Sequence, residues 1–155
     1  MIFFRVDLGF KEGLGHYNRI KSLIRYLKIK KYKIIIDKFP KGSFLNKDKR
    51  NILSLYENSQ FINEKNDAQK FSTIISNYAK LPIIIKDSYR LGYKWEKIIS
   101  KKSKKLIIID DFCEKRHYVD YYINHNPSFS NKNKNLISFL KKRNKRKTKF
   151  LLGED

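Results

Sequence analysis

A single cysteine, Cys113, stands in the whole chain, so no internal disulfide can form, and the usage fits a reducing, cytoplasmic setting. Acidic residues are also scarce: 15 Asp and Glu against 36 Lys and Arg leave a formal charge of +21. Long apolar runs are missing. The purest, 106–109, is a few residues long, whereas a membrane-spanning helix needs about 20, so none is expected and no membrane is expected among the partners. The N-terminal apolar stretch is interrupted by Arg5 and Asp7 and has no basic segment before it, which does not read as a signal peptide. Only three prolines and six glycines punctuate the 155 residues. With 41% hydrophobic and 14% aromatic residues, the chain can build one well-packed core, and wholesale disorder is excluded.

The positive charge admits two readings. Clustered Lys and Arg would gain affinity for a phosphate backbone by counterion release. The same excess arises where AT-rich codons favour Lys, Ile, Asn and Tyr together, and this chain is rich in all four. Most of its lysines are scattered over every element, the one dense cluster being 141–149, and the aromatics fall in core stripes and not among the basic residues. Nucleic acid is therefore not the expected partner.

Hydrophobic periodicity alternates between two periods. Residues 2–6 read as a buried strand, followed by a loop with Gly9, Gly13 and Gly15. Ile20, Leu23, Ile24 and Leu27 then recur at helical spacing, and 32–36 form a second strand. A short helix is expected at 50–56 and a strand at 60–62. Asp67 is placed to cap a helix whose stripe is Phe71, Ile74, Ile75 and Tyr78. Strands at 83–85, 106–109, 121–123 and 150–152 follow, with a helix at 93–100 and a helical patch at 136–140 inside the Lys/Asn-rich segment 128–147. Alternating strands and helices imply parallel pairing. The expected fold is thus α/β: one doubly wound, mostly parallel, Rossmann-like sheet in a single domain spanning 1–155.

In such sheets ligands bind beyond the carboxyl ends of the strands. There the chain places Arg5 and Asp7, Asp87-Ser88-Tyr89, Asp110-Asp111, and Asn124 with Asn126. The strongest local signal is Gly13-Leu14-Gly15-His16-Tyr17-Asn18-Arg19. It is neither the dinucleotide fingerprint nor a P-loop, since the third glycine and the Gly-Lys-Ser/Thr are missing. One reading is a tight glycine turn with His16 as a cap. The other is a general base, because the positive end of the helix dipole disfavours imidazolium and keeps His16 neutral. Spacing alone leaves both open. Asp87 or Ser88 reads equally well as an N-cap for the next helix, and Tyr89 as a group able to stack on a sugar. Asp110-Asp111 with Cys113 and His117 is a weak metal pattern, turn chemistry being the usual reason for Asp after a strand. His117 and His125 read as ordinary loop histidines, and Trp95 as core.

Taken together, Phe4-Arg5-Val6-Asp7, the Gly13-Leu14-Gly15-His16 turn with Arg19, Asp87-Ser88-Tyr89 with Leu91 and Trp95-Glu96, Ile109-Asp110-Asp111, Asn126-Pro127 and Leu151-Leu152-Gly153 occur in an order that resembles the UDP-2,4-diacetamido-2,4,6-trideoxy-β-L-altropyranose hydrolase family, related to spore-coat polysaccharide proteins. The resemblance runs along essentially the whole chain. It implies the N-terminal domain of a glycosyltransferase-B architecture and hydrolysis of a UDP-linked amino sugar in pseudaminic acid synthesis. Water would attack the anomeric carbon with inversion, UDP would leave, and no metal or cofactor would be required. It implies that His16 activates the water and that Tyr89 lies in the active site. Arg5, Asp7, Gly13, Gly15 and Arg19 would contact the sugar or shape the loop. Two residues depart from the pattern: Lys86 where an apolar residue is usual, and Arg90 where glycine is usual. The family's nucleotide-binding second domain has no counterpart in these 155 residues, so this chain alone is not expected to turn over, and a separately encoded C-terminal domain is an expected partner. Two alternatives are a glycosyltransferase-B-type transferase fragment and a basic nucleic-acid-binding module.

Overall fold

The computed structural model describes residues 1–8, 14–39, 50–56, 60–126, 134–143 and 147–153. Seven strands form one sheet: β1 (Ile2–Val6), β2 (Tyr32–Ile36), β3 (Ile52–Ser54), β4 (Ile83–Asp87), β5 (Lys105–Ile109), β6 (Tyr121–Asn124) and β7 (Lys149–Leu152). Their spatial order is β3-β2-β1-β4-β5-β6-β7 and every pairing is parallel. The fold is therefore the doubly wound, Rossmann-like α/β sheet that the alternation of periods implies. β1 and β4 lie side by side at the centre, where the winding reverses and where such sheets open a crevice.

Successive side chains of a strand point to opposite faces, so a strand covered on both sides buries apolar side chains in two cores at once. β1 does this with Phe3 in one core and Phe4 and Val6 in the other. β2 does it with Ile35 against Ile34 and Ile36. Helix α1 (Gly15–Tyr26) lays Tyr17, Ile20 and Ile24 on the second face. Helices α2 (Glu64–Ser76), α3 (Tyr93–Ile99) and α4 (Lys134–Arg143) cover the first, through Phe71, Ile75, Trp95, Ile99 and Leu140. Trp95 is core, as its position on an apolar helix face implies.

Three local expectations are corrected. No helix occupies 52–54: these residues are edge strand β3, and 60–62 is not a strand. Ile52-Leu53-Ser54 is too short to display either period, and its pairing with Ile34, Ile35 and Ile36 decides its conformation. The cap of α2 is Asn63, whose side chain accepts from the Asn66 amide at 3.0 Å, and not Asp67. Asp67 sits fully buried in the first turn and accepts from the Trp95 indole (2.7 Å), from the Tyr56 hydroxyl (3.1 Å) and from Arg5 through Nε (3.2 Å) and Nη2 (2.5 Å).

Arg5 is equally buried, and its guanidinium also reaches Asp37. A buried ion pair contributes little net stability, but removing one partner strands the other in a dry interior. Asp67→Leu should therefore lower unfolding free energy by on the order of 3 kcal/mol, and Arg5→Met/Asp67→Leu should recover much of the loss. Urea denaturation reads both. If the single and double variants unfold alike, the pair is not what holds this region.

Candidate functional site at the carboxyl edge of the sheet

The first two residues of α1 are Gly15 and His16 of the expected glycine turn, and they stand at the sheet's carboxyl edge. Gly13, the other expected glycine of that turn, lies outside the described residues, as does Pro127 of the Asn-Pro block. A methyl group on Gly15 would meet nothing within 4 Å, so its place in the helix is not dictated by crowding.

His16 turns its Nδ1 onto Oδ1 of Asp87, 2.6 Å away, at the last residue of β4. Asp87 is fully buried and serves a second donor: Arg19, one turn further along α1, donates from Nε to Oδ2 (2.8 Å) and from Nη2 to Oδ1 (2.6 Å). Asp87 thus caps no helix; it clamps two residues of α1. With a carboxylate at Nδ1, that nitrogen carries the proton, and Nε2 keeps the lone pair. Nε2 makes no hydrogen bond with a described residue. Its environment reverses the sign expected from the helix dipole. Burial alone would lower the His16 pKa, but the hydrogen bond and charge of Asp87 outweigh it, and the pKa is raised in spite of Arg19.

Arg19 extends outward to Asp111, donating to its two carboxylate oxygens at 2.7 and 3.0 Å. Tyr89 donates its hydroxyl to the same carboxylate and sets its ring edge-on to His16, centroids 4.4 Å apart. Burial and Asp111 push the Tyr89 phenol up to about 12, so it remains a donor. Gly15, His16, Arg19, Tyr89 and Asp111 line an open depression of about 350 Å³, at the lower end of small-molecule pockets, which run from about 300 Å³.

The expected site residues separate into two groups. His16, Arg19, Gly15 and Tyr89 meet in the depression. Arg5 and Asp7 lie beneath it, both buried. Asp7 accepts from the Tyr89 amide (3.1 Å) and from Arg90 (2.8 Å), and Arg90 bridges on to Asp37 while its guanidinium stacks over Phe61 at 5.0 Å. Arg5, Asp37, Arg90 and Asp7 therefore form a row of alternating charge under the 88–90 turn. Asp110 and Asp111, adjacent in sequence, diverge. Asp111 faces the depression, whereas Asp110 turns inward to the Cys113 amide (3.1 Å) and the Tyr122 hydroxyl.

In the inward set His117 lies in the loop between β5 and β6, as expected, but it is not an ordinary loop histidine. It is buried, with Nδ1 2.7 Å from Glu96 and Nε2 3.6 Å from Asp110. Glu96 also takes the buried Lys86 ammonium at 2.7 Å, and Lys86 donates to the Leu91 carbonyl. Burial opposes ionisation of Glu96, but Lys86 and His117 hold its pKa at about 2; Asp110 is likewise held at about 2 against burial, first by the His117 hydrogen bond. His125 is exposed, with Nδ1 3.3 Å from Asp111. Among the described residues, no group of three His, Cys, Asp or Glu is placed to hold a metal ion. What the sequence hid is the partnership of Asp87 with His16 and of Glu96 with His117, since an Asp at a strand end signals a turn or cap as readily as a partner for a distant histidine.

No family model matches the chain, and no curated protein matches it in sequence. No helix among the described residues is long and apolar enough to cross a membrane.

Two measurements follow from these environments. A proton NMR titration should place the His16 midpoint above the ordinary 6.5; Asp87→Asn should bring it down and Arg19→Gln should move it up. A midpoint that ignores Asp87→Asn would refute the clamp. Glu96 and Asp110 ionise more readily folded than unfolded, so they stabilise the fold above their ordinary values of 4.5 and 3.8, and that stability is lost as the pH falls towards 2. Acid denaturation should show a component in that window that shrinks in Glu96→Gln.

Proposed function

We propose that the depression at the carboxyl edge is the sugar-binding and base-supplying half of a nucleotide-sugar hydrolase. The observation that carries this reading is the Asp87–His16 pair. A buried carboxylate fixes the imidazole tautomer and leaves Nε2 as acceptor beside an open cavity, the arrangement a histidine base requires. Its place at the junction of β1 and β4, where the winding reverses, supports the reading, and so does the ordered likeness to UDP-2,4-diacetamido-2,4,6-trideoxy-β-L-altropyranose hydrolases.

In this mechanism a water bound at His16 Nε2 gives up its proton as its oxygen attacks the anomeric carbon. The carbon–oxygen bond to the nucleotide breaks on the opposite side, UDP departs, and the sugar is released with inverted configuration. Asp87 stabilises the imidazolium as it forms, in the way a buried aspartate serves a catalytic histidine elsewhere. Tyr89 offers a flat ring and a hydroxyl to the sugar. Arg19 would be shared between Asp87, Asp111 and an anionic ligand. The nucleotide would be held by a second, nucleotide-binding domain.

The test is UDP release from a UDP-linked diacetamido sugar, with this chain and a nucleotide-binding domain added. His16→Ala should lower turnover at least a hundredfold, in keeping with the loss of a general base, with the melting transition retained. Asp87→Asn should lower kcat more than it changes KM. Full turnover in His16→Ala would remove the base assignment, and a glycoside product in place of free sugar would make the enzyme a transferase.

A further inference from the structure

The opposite edge of the sheet has a character of its own. In a parallel sheet the strand starts and the helix ends gather at one edge, and here they bring together 27–31, 77–82 and 100–105. Those three stretches carry eight lysines and no aspartate or glutamate. All eight lysines are exposed. The loops are contiguous: the Ile2 amide donates to the Lys31 carbonyl, the Ile83 amide to Met1, and the Lys104 amide to Pro82. Asp120 is the carboxylate at this edge among the described residues, and it is occupied by the Leu106 amide and, at 3.8 Å, by Lys105. Asp7, Asp37, Asp87 and Asp111 all leave by the other edge.

Apolar side chains stand among these lysines. Tyr26 is 85% exposed, Leu27 55%, Leu81 56% and Tyr78 46%, and Met1 lies between them. Scattered singly, such residues mean nothing. Gathered on one rim with lysines and without acids, they match the composition of surfaces that lie in a lipid interface. There aliphatic and tyrosine side chains enter the headgroup region and lysines hold to anionic headgroups.

We propose that this amino-end edge is a docking surface for an anionic lipid bilayer. It is a peripheral contact made by loops and helix ends, and needs no spanning segment. It points the depression away from the bilayer, since the two lie at opposite ends of the strands. Exposed Leu27, Leu81 and Met1 favour lipid over nucleic acid, because a phosphate backbone offers aliphatic tips nothing to enter.

The experiment is co-sedimentation of the full chain with vesicles of phosphatidylserine and phosphatidylcholine, and with vesicles of phosphatidylcholine alone. Binding is expected to the first and not the second, and to fall with salt. Each lysine contributes roughly fivefold near such a surface, so Lys30→Glu/Lys31→Glu/Lys104→Glu should weaken binding by more than a hundredfold. Leu27→Ser/Leu81→Ser should weaken it several-fold more than Lys141→Glu/Lys142→Glu, which lies on α4. All three variants change exposed residues, and an unchanged thermal transition checks their folding. Equal binding to both vesicle types, or none to either, overturns the proposal. So does full binding by Leu27→Ser/Leu81→Ser together with displacement from vesicles by duplex DNA, which would mark a general polyanion surface.

Discussion

A carboxylate at the end of a central strand has no water to turn to, and Asp87 is tolerable there because two hydrogen-bond donors of α1, the His16 imidazole and the Arg19 guanidinium, come to it. His16 and Arg19 sit one turn apart on the helix, so both face the strand end at once. The consequence runs outward. With the helix pinned to β4, Arg19 is aimed at Asp111 beyond β5, Asp111 takes the Tyr89 hydroxyl, and Tyr89 is set against His16. One buried charge thereby ties the ends of two strands, β4 and β5, and one helix into a single constellation, without a side chain from α2, α3 or α4.

A second carboxylate governs the other face in the same way. Glu96 joins Lys86 to His117, and His117 reaches towards Asp110. Lys86 and Arg90 are unusual in the motif that surrounds Tyr89, yet neither charge is stranded. Lys86 turns to Glu96, and Arg90 to Asp7 and Asp37. The 88–90 turn is consequently stapled from both sides. Its backbone is fixed by Asp7 from below, while Lys115 donates to the Tyr89 carbonyl from above.

The doubly wound sheet was legible because it depends on periodicity, which residues such as Phe3, Phe4, Ile34 and Ile35 display without help from their neighbours. The helix stripes of α1 and α2 were legible for the same reason, except at their last members: Leu27 and Tyr78 lie past the helix ends and are exposed. β3 was not, because three residues carry no period and only pairing with β2 defines them. Of the site, His16, Arg19 and Tyr89 could be picked out locally. Their partners could not, since Asp87 is 71 residues from His16 and Asp111 is 92 from Arg19. The sign of the His16 shift was missed for that reason: a helix dipole can be read from sequence, whereas a carboxylate brought by another strand cannot. Asp67 was misread because a buried polar residue and a cap have the same letters, and the burial of His117 was missed because its partner Glu96 lies 21 residues away. The gathering of lysines at one edge is a property of topology. Along the chain those lysines look evenly spread.

Cys113 closes the loop between β5 and β6 in a left-handed backbone conformation, with φ of 55°. Its thiol is buried, lies 3.1 Å from the Tyr122 hydroxyl oxygen, accepts from the Asn124 amide (3.2 Å), and has its pKa raised, first by burial. The native protein therefore offers an alkylating reagent very little thiolate. Modification of this sole thiol has to wait for the 110–124 region to come apart, taking the anchors of Asp110 and Asp111 with it. The side chain is a built-in clock for how often that half of the carboxyl edge opens.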